Sequence, residues 1–148
     1  MADRFIDDYL LYLLARASSE VSAQFHVRLK THGLQVPEWR VLASLSDGDG
    51  MTVGDLAALA LQRQPTMTKI IDRMAISGLV ERRPDETDRR KVRIFITRQG
   101  RCRVDDALAD AKAHEHEVLA DYSAAEADRL KSMLRALVDR NGAAPQED

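Results

Sequence analysis

Eight of the twenty residues in RRPDETDRRKVRIFITRQGR, Arg82 to Arg101, are basic and three are acidic. Arg89, Arg90 and Lys91 are consecutive, and Arg82, Arg83 and Arg93 flank them. Like charges repel, and a fold gains nothing by gathering them unless an anion is to be met. The preceding segment supplies a different chemistry: Gln62, Gln64, Pro65, Thr66, Thr68, Lys69 and Arg73 mix amides, hydroxyls and cations. Glutamine can pair with the edge of adenine, threonine can meet a thymine methyl or a phosphate, and Lys or Arg can reach guanine or phosphate. These are the groups of polyanion recognition. The chain has no glycine-rich phosphate loop, no recognisable Ser-His-Asp set and no cluster of metal ligands. Catalysis is therefore excluded, no cofactor is implied, and no metal site is expected.

Charge is distributed to the same end. The 148 residues carry a net charge of −2, yet residues 62–101 hold eleven basic and five acidic groups. That basic centre is framed by acidic ends, so the overall balance conceals a surface suited to a polyanion. One domain is the natural size. With 45% hydrophobic residues, only 5% aromatics and an apolar set led by Ala and Leu, a helical core is favoured. No apolar run approaches the roughly 20 residues of a membrane span. The acidic start MADRFIDD does not resemble a secretory signal, and the lone Cys102 cannot form an internal disulfide. The expectation is a cytoplasmic protein without a membrane partner.

Several elements must position these side chains. Phe5, Tyr9, Leu13, Ala17, Val21, Phe25 and Leu29 recur at the helical period and predict one long first helix, stopped at His32-Gly33-Leu34. A second helix is expected from Pro37 to about Leu45, with Trp39, Leu42 and Leu45 buried, followed by an SDGDG loop. Thr52 caps a short helix from Val53 to about Ala60. Pro65 suits the first position of the next helix, which runs to Ser77 and ends at Gly78-Leu79. From Val80 the pattern turns β-branched, and Val80–Arg83 with Val92–Ile96 predict a two-stranded hairpin around the polar PDETDRRK. Thr97 should cap a fifth helix carrying Val104, Leu108, Ala111, Val118 and Tyr122. Ser123 and Glu126 form a capping box for a sixth, with Leu130, Leu134 and Leu137 facing inward.

A short helix, a tight turn, a second helix and then a hairpin make a winged helix-turn-helix. The fold class is mainly α with a small β-hairpin wing. In it, the helix after Pro65 buries Met67, Ile70, Ile71 and Met74 and offers Thr66, Lys69 and Arg73 outward. The wing carries Arg83, Arg89, Arg90 and Lys91 towards DNA, its narrow tip suited to the minor groove. Asp88, beside Arg90, is expected to hold the wing in shape, with Asp72 a second candidate.

The stretch Leu56 to Gly100 resembles the heart of a MarR-family transcriptional regulator. The residues carrying the likeness are Leu56-Ala57, Thr66, Asp72-Arg73, Gly78-Leu79-Val80, Arg83, Asp88-Arg89-Arg90, and Thr97 followed by Gly100. The helix order extends it over nearly the whole chain. The resemblance implies one domain over 1–141, with 1–34 and 98–141 as dimerisation helices and 37–97 as the DNA-binding lobe, before a flexible tail at 142–148. It implies a homodimer on a palindromic operator in double-stranded DNA, a repressor released by a small aromatic or phenolic ligand. For such a ligand, Tyr9, Tyr12, Phe25, His26, His32, Trp39 and Arg40 are candidates, each equally open to a packing role. Dimerisation has separate support, because the terminal helices carry more apolar stripe than one small domain can cover.

Two further signals carry less. Cys102, between Arg101 and Arg103, invites a redox reading but is more simply a passive small residue. His114 and His116 sit two apart on a helix and diverge, so HEHE reads as a solvated charged face. The rivals to a ligand-responsive regulator are a redox- or metal-responsive variant and a winged helix that binds an acidic protein instead of an operator.

Overall fold

A computed structural model describes residues 4–142, which fall into two compact units divided between Lys112 and Ala113. In the first unit the chain opens with a short 3-10 turn, Phe5–Asp8, and passes through the extended Tyr9 into helix α1, Leu10–Thr31. The long first helix is thus shorter than its apolar period suggests. Its first two stripe residues fall before it, where Phe5 stacks on Tyr9 with ring centroids 5.0 Å apart. The stop is as expected: Gly33 adopts φ +67°, its N–H donates to Lys30 O, and the N–H of Leu34 donates to Leu29 O. Leu34 then drops into the core.

Helix α2, Val36–Asp47, starts one residue earlier and runs two residues further than predicted. Gln35 and Glu38 cap it reciprocally, a pairing hidden by the expectation that Pro37 begins the helix. The SDGDG loop shortens accordingly, and Gly50, at φ +77°, turns the chain into a strand absent from the sequence reading, β1, Met51–Thr52. Two residues are too few to display an alternation. Helix α3, Val53–Leu59, is capped by the Thr52 hydroxyl, which accepts from the Asp55 N–H at 3.2 Å. Helix α4, Gln64–Ile76, holds Pro65 in its first turn and buries Met67, Ile70, Ile71 and Met74.

Strands β2, Val80–Pro84, and β3, Val92–Ile96, pair antiparallel, Val80 opposite Ile96 and Pro84 opposite Val92. β1 adds to the far edge, Met51 opposite Ile94, so the sheet order is β1-β3-β2. The hairpin becomes a three-stranded sheet whose root is anchored by Val80, Ile94 and Ile96 in the core with Leu42, Leu45, Leu56, Ile71 and Val104. Helix α5, Arg98–Val118, begins as predicted, the Thr97 hydroxyl accepting from the Gly100 N–H at 3.0 Å. Gly100 is required there by space: a Cβ would lie 2.2 Å from the Leu79 carbonyl oxygen. Arg28 of α1 and His32, its C-cap, both reach Asp110 of α5, at 3.3 and 3.0 Å.

The second unit holds the end of α5 and helix α6, Ala124–Asn141. Ser123 and Glu126 form the expected capping box, and Lys131 pairs with Glu115 at 2.9 Å. Two expectations fail here. Tyr122 lies past the end of α5 and is exposed, and Leu130, Leu134 and Leu137 do not face inward: α6 has no buried residue in the single chain. His114 is buried, 6% exposed, so the HEHE segment is not wholly a solvated face. Most of the expected flexible tail, 143–148, lies outside the described residues.

Candidate nucleic-acid interface

The wing is organised around a residue that the sequence reading passed over. Asp85 opens the tip and is 7% exposed. Its carboxylate accepts the Thr87 N–H and hydroxyl, both at 2.9 Å, and the Arg93 Nε–H at 2.7 Å. The Thr87 amide above all, with the Arg93 guanidinium, holds the Asp85 carboxyl well below the usual carboxylate range. Arg93 also donates through Nη1 to the Gly50 carbonyl at 2.8 Å, tying the tip to the turn before β1. The pattern Asp-x-Thr after a proline is an Asx-turn signal and could have disclosed Asp85.

Asp88 also shapes the tip, but through the backbone. It accepts the Arg90 N–H at 3.1 Å, and its carbonyl accepts the Lys91 N–H at 3.0 Å. Among the described residues no ion pair joins it to the Arg90 guanidinium. Asp72 pairs instead with Arg82, joining α4 to β2, and Arg83 pairs with Glu81 while lying 4.4 Å over the Phe95 ring. The cationic cluster therefore separates into two sets. Arg82 and Arg93, expected to belong to the projection, are spent on the fold, and Arg83 is internally engaged. Arg89, Arg90 and Lys91 are exposed and make no ion pair among the described residues.

On α4, Gln64, Pro65, Thr66, Thr68, Lys69 and Arg73 are exposed, and Gln62 is half-buried before its first turn. The Thr68 hydroxyl donates to the Gln64 carbonyl at 3.0 Å, which leaves its oxygen lone pairs and methyl group to offer. Arg63, absent from the sequence-based set, occupies the N-cap with no side-chain capping bond. Helix N-termini prefer Ser, Thr, Asp or Asn at that position, and a cation opposes the helix dipole. Its type was the signal: arginine at a helix start is stabilised by a bound anion, as are the free N–H groups it precedes.

The seven ligand candidates do not share one place. His26 and Arg40 line a groove of about 470 Å³ between α1 and α2, with Ser18, Ser19, Ser22, Ala23 and Val36. His32 lines another, of about 380 Å³, with Thr31, Gln99, Cys102, Arg103 and Asp106. Phe25 and Trp39 meet edge to face, ring centroids 5.4 Å apart, against the core. Tyr9 stacks on Phe5, and Tyr12 accepts a hydrogen bond from Arg16 at 3.0 Å. Arg40 donates through Nη1 to the Ala60 carbonyl, 3.2 Å away at the end of α3. Cys102 is exposed, and among the described residues no group of three or more His, Cys, Asp or Glu is placed to hold a metal. No helix among them is long and apolar enough to cross a membrane.

Comparison with known proteins bears on the whole chain. A model described as the MarR family matches residues 32–91. A solved MarR family transcriptional regulator from Silicibacter pomeroyi DSS-3 is 47% identical, with a TM-score of 0.82 over 93% of this chain and 98% of that one. The transcriptional repressor CouR, solved bound to a 23-mer DNA duplex, is 25% identical with a TM-score of 0.81, covering 90% and 94% of the two chains. The Mycobacterium tuberculosis MarR family protein Rv2887, solved in complex with salicylic acid, is 28% identical with a TM-score of 0.72, covering 93% and 99%.

Proposed function

The chain belongs to the MarR family, a family of transcriptional regulators, and we propose on that footing that it is a sequence-specific double-stranded DNA-binding repressor. It acts as a homodimer on a palindromic operator and responds to a small ligand. The observation that carries this reading is the exposed Arg89-Arg90-Lys91 tip, held out by an internally satisfied wing and left without a carboxylate partner among the described residues. Arg63, Lys69 and Arg73 extend the cationic surface along the helix that follows the turn. Phosphates neutralise these cations, while Gln62, Gln64 and Thr66 read base edges.

Residues 37–97 form the DNA-binding lobe, and the helices of 1–34 and 98–141 make the dimer. Apolar residues left open on the terminal elements support the second point: Leu10, Leu11 and Leu13 in α1, and Leu130, Met133, Leu134, Leu137 and Val138 in α6. Such stripes are satisfied by a second copy. Two recognition helices related by a two-fold axis meet half-sites about one helical turn apart.

The test is a gel shift on the chain's own upstream DNA. Specific, salt-sensitive retardation is expected, and it disappears with Arg89→Ala combined with Arg90→Ala. Thr66→Ala or Gln64→Ala relaxes sequence preference by ~1–3 kcal/mol per lost base contact. No shift on any duplex would favour a protein-interaction module instead. For the ligand, an aromatic carboxylate suits the α1–α2 groove, with Arg40 and His26 for the carboxylate and the serines for ring hydroxyls. Titration calorimetry with salicylate and related phenolic acids should give heat that Arg40→Ala removes; silence across the panel rejects this occupant.

A further inference from the structure

Three helices of this chain end with the same pair of hydrogen bonds. At the end of α1, Gly33 N–H donates to Lys30 O at 3.0 Å and Leu34 N–H to Leu29 O at 3.1 Å. At the end of α4, Gly78 N–H donates to Ala75 O at 3.0 Å and Leu79 N–H to Met74 O at 2.9 Å. At the end of α3 the pair is Leu61 N–H to Ala58 O at 3.3 Å and Gln62 N–H to Ala57 O at 2.9 Å. The turning residue has φ +67° at Gly33, +75° at Gly78 and +57° at Leu61. Glycine enters that region freely, whereas an L side chain is crowded there by its own backbone.

The third end inverts the order of the other two. After Gly33 and Gly78 comes a leucine, 2% exposed at Leu34 and 1% at Leu79, which seals the helix end against the core. In α3 the leucine occupies the turning position itself, 75% exposed, and a glutamine follows. Among the described residues Leu61 is the only non-glycine residue with positive φ. It takes no part in the core, and glycine would make the same turn without strain. A strained backbone bearing an exposed apolar side chain points to a surface that the side chain meets.

The neighbours identify that surface. Leu61 is followed directly by Gln62, Arg63 and Gln64, the entry into α4, and Arg63, Lys69 and Arg73 make no ion pair among the described residues. Leu59, at the end of α3, is also exposed, at 53%, but Leu61 is the apolar group that adjoins the amides and unpaired cations, and such company does not suit another apolar surface. It suits the major groove, where the one apolar feature of the base edges is the thymine 5-methyl group. We propose that Leu61 is a specificity-determining residue that packs on the methyl group of a thymine in each operator half-site. The proposal rests on the reading of this chain as a duplex-DNA-binding regulator.

The probe is the duplex that the wild-type protein enriches from a random-sequence library, resynthesised with uracil replacing each thymine in turn, which removes only the methyl group. For wild type, affinity falls about fourfold at each position of one symmetry-related pair, the effect of burying one methyl, and about sixteenfold when both carry uracil. Leu61→Gly, which loses the contact in both half-sites, binds the thymine duplex as weakly as wild type binds the duplex carrying uracil at both positions, is indifferent to the exchange there, and melts no lower than wild type. A library selected with Leu61→Gly loses the thymine at that position and keeps the rest of the site. Equal affinity of Leu61→Gly and wild type for the thymine duplex overturns the contact. So does a loss in Leu61→Gly accompanied by an undiminished uracil effect, which places the side chain on the sugar-phosphate backbone. Absence of any enriched duplex with wild type overturns the DNA-binding reading, and this contact with it.

Discussion

At the scale of single residues, Asp85 decides whether the wing has a fixed shape. Its carboxylate is the common acceptor for the Thr87 amide, the Thr87 hydroxyl and Arg93, and Arg93 carries the connection on to Gly50. Because the folded-state pKa is depressed, the contribution to stability is complete above the unfolded carboxylate value, about 3.9. It is lost as pH falls below that value towards the folded one, since the unfolded chain takes up the proton first. Asp85→Asn should therefore lower the melting temperature near pH 6, and the gap from wild type should narrow as the pH is brought towards 3. A gap that stays constant over this range would mean that ionisation of Asp85 does not hold the wing. Asp110 is stabilised in the same sense by its hydrogen bond from His32, with Arg28 assisting, and joins α1 to α5. In the sequence Asp85 is marked only by the Asx-turn pattern that follows Pro84, and Asp110 looks like an ordinary acidic residue in charged company.

At the scale of elements, the wing and α4 divide their cations between structure and contact. Arg82 braces β2 to α4 through Asp72, Arg93 braces the tip, and the tip residues Arg89, Arg90 and Lys91 are left over. The difference is measurable. Removing Arg89 and Arg90 from both protomers should shallow the slope of log affinity against log salt by about 3 to 4 units. Thermal stability should be nearly unchanged, because neither side chain has an ion-pair partner among the described residues. Arg93→Ala should do the reverse, lowering the melting temperature with a smaller change in slope. If both variants alter the slope equally, the division fails. The elements themselves were largely readable: glycine stops at Gly33 and Gly78, the Thr52, Thr97 and Ser123 caps and the β-branched run at Val92–Ile96 all have local causes. Strand β1 escaped because its two residues gain their identity only by pairing with Arg93 and Ile94. The long first helix broke at Tyr9 although the apolar period runs through it, since periodicity does not register where a chain turns aside.

At the scale of the whole molecule, the surplus apolar surface is the support for the proposed dimer. Helix α6 buries nothing in the single chain, yet Leu134 and Leu137 are among its large exposed hydrophobics. Leu134→Glu should leave helical content intact and convert the dimer to a monomer by light scattering. It should also weaken operator binding far more than a single wing substitution, because two half-sites are no longer engaged together. A variant that remains dimeric would remove α6 from the proposed interface. The inward direction expected for these leucines fails in the single chain, and in the proposed dimer a second copy covers them. A helical stripe states that a face must be covered without stating which chain covers it.

The amino-acid sequence by itself determined the features set by local chemistry: helix ends, caps, the β-hairpin, the basic centre framed by acidic ends, and the amide and hydroxyl face of α4. Tertiary structure alone decided which arginines are consumed by carboxylates and which are left over, that Asp85 organises the tip, and that Leu61 stands where glycine stands at the two matching turns. It also parted His26 and Arg40 from the other ligand candidates. The reason is the range of the forces involved. Caps and periodicity act over three or four neighbouring residues, whereas ion pairs, cavities and register join residues such as Gly50 and Arg93, which are brought together only when the chain has folded.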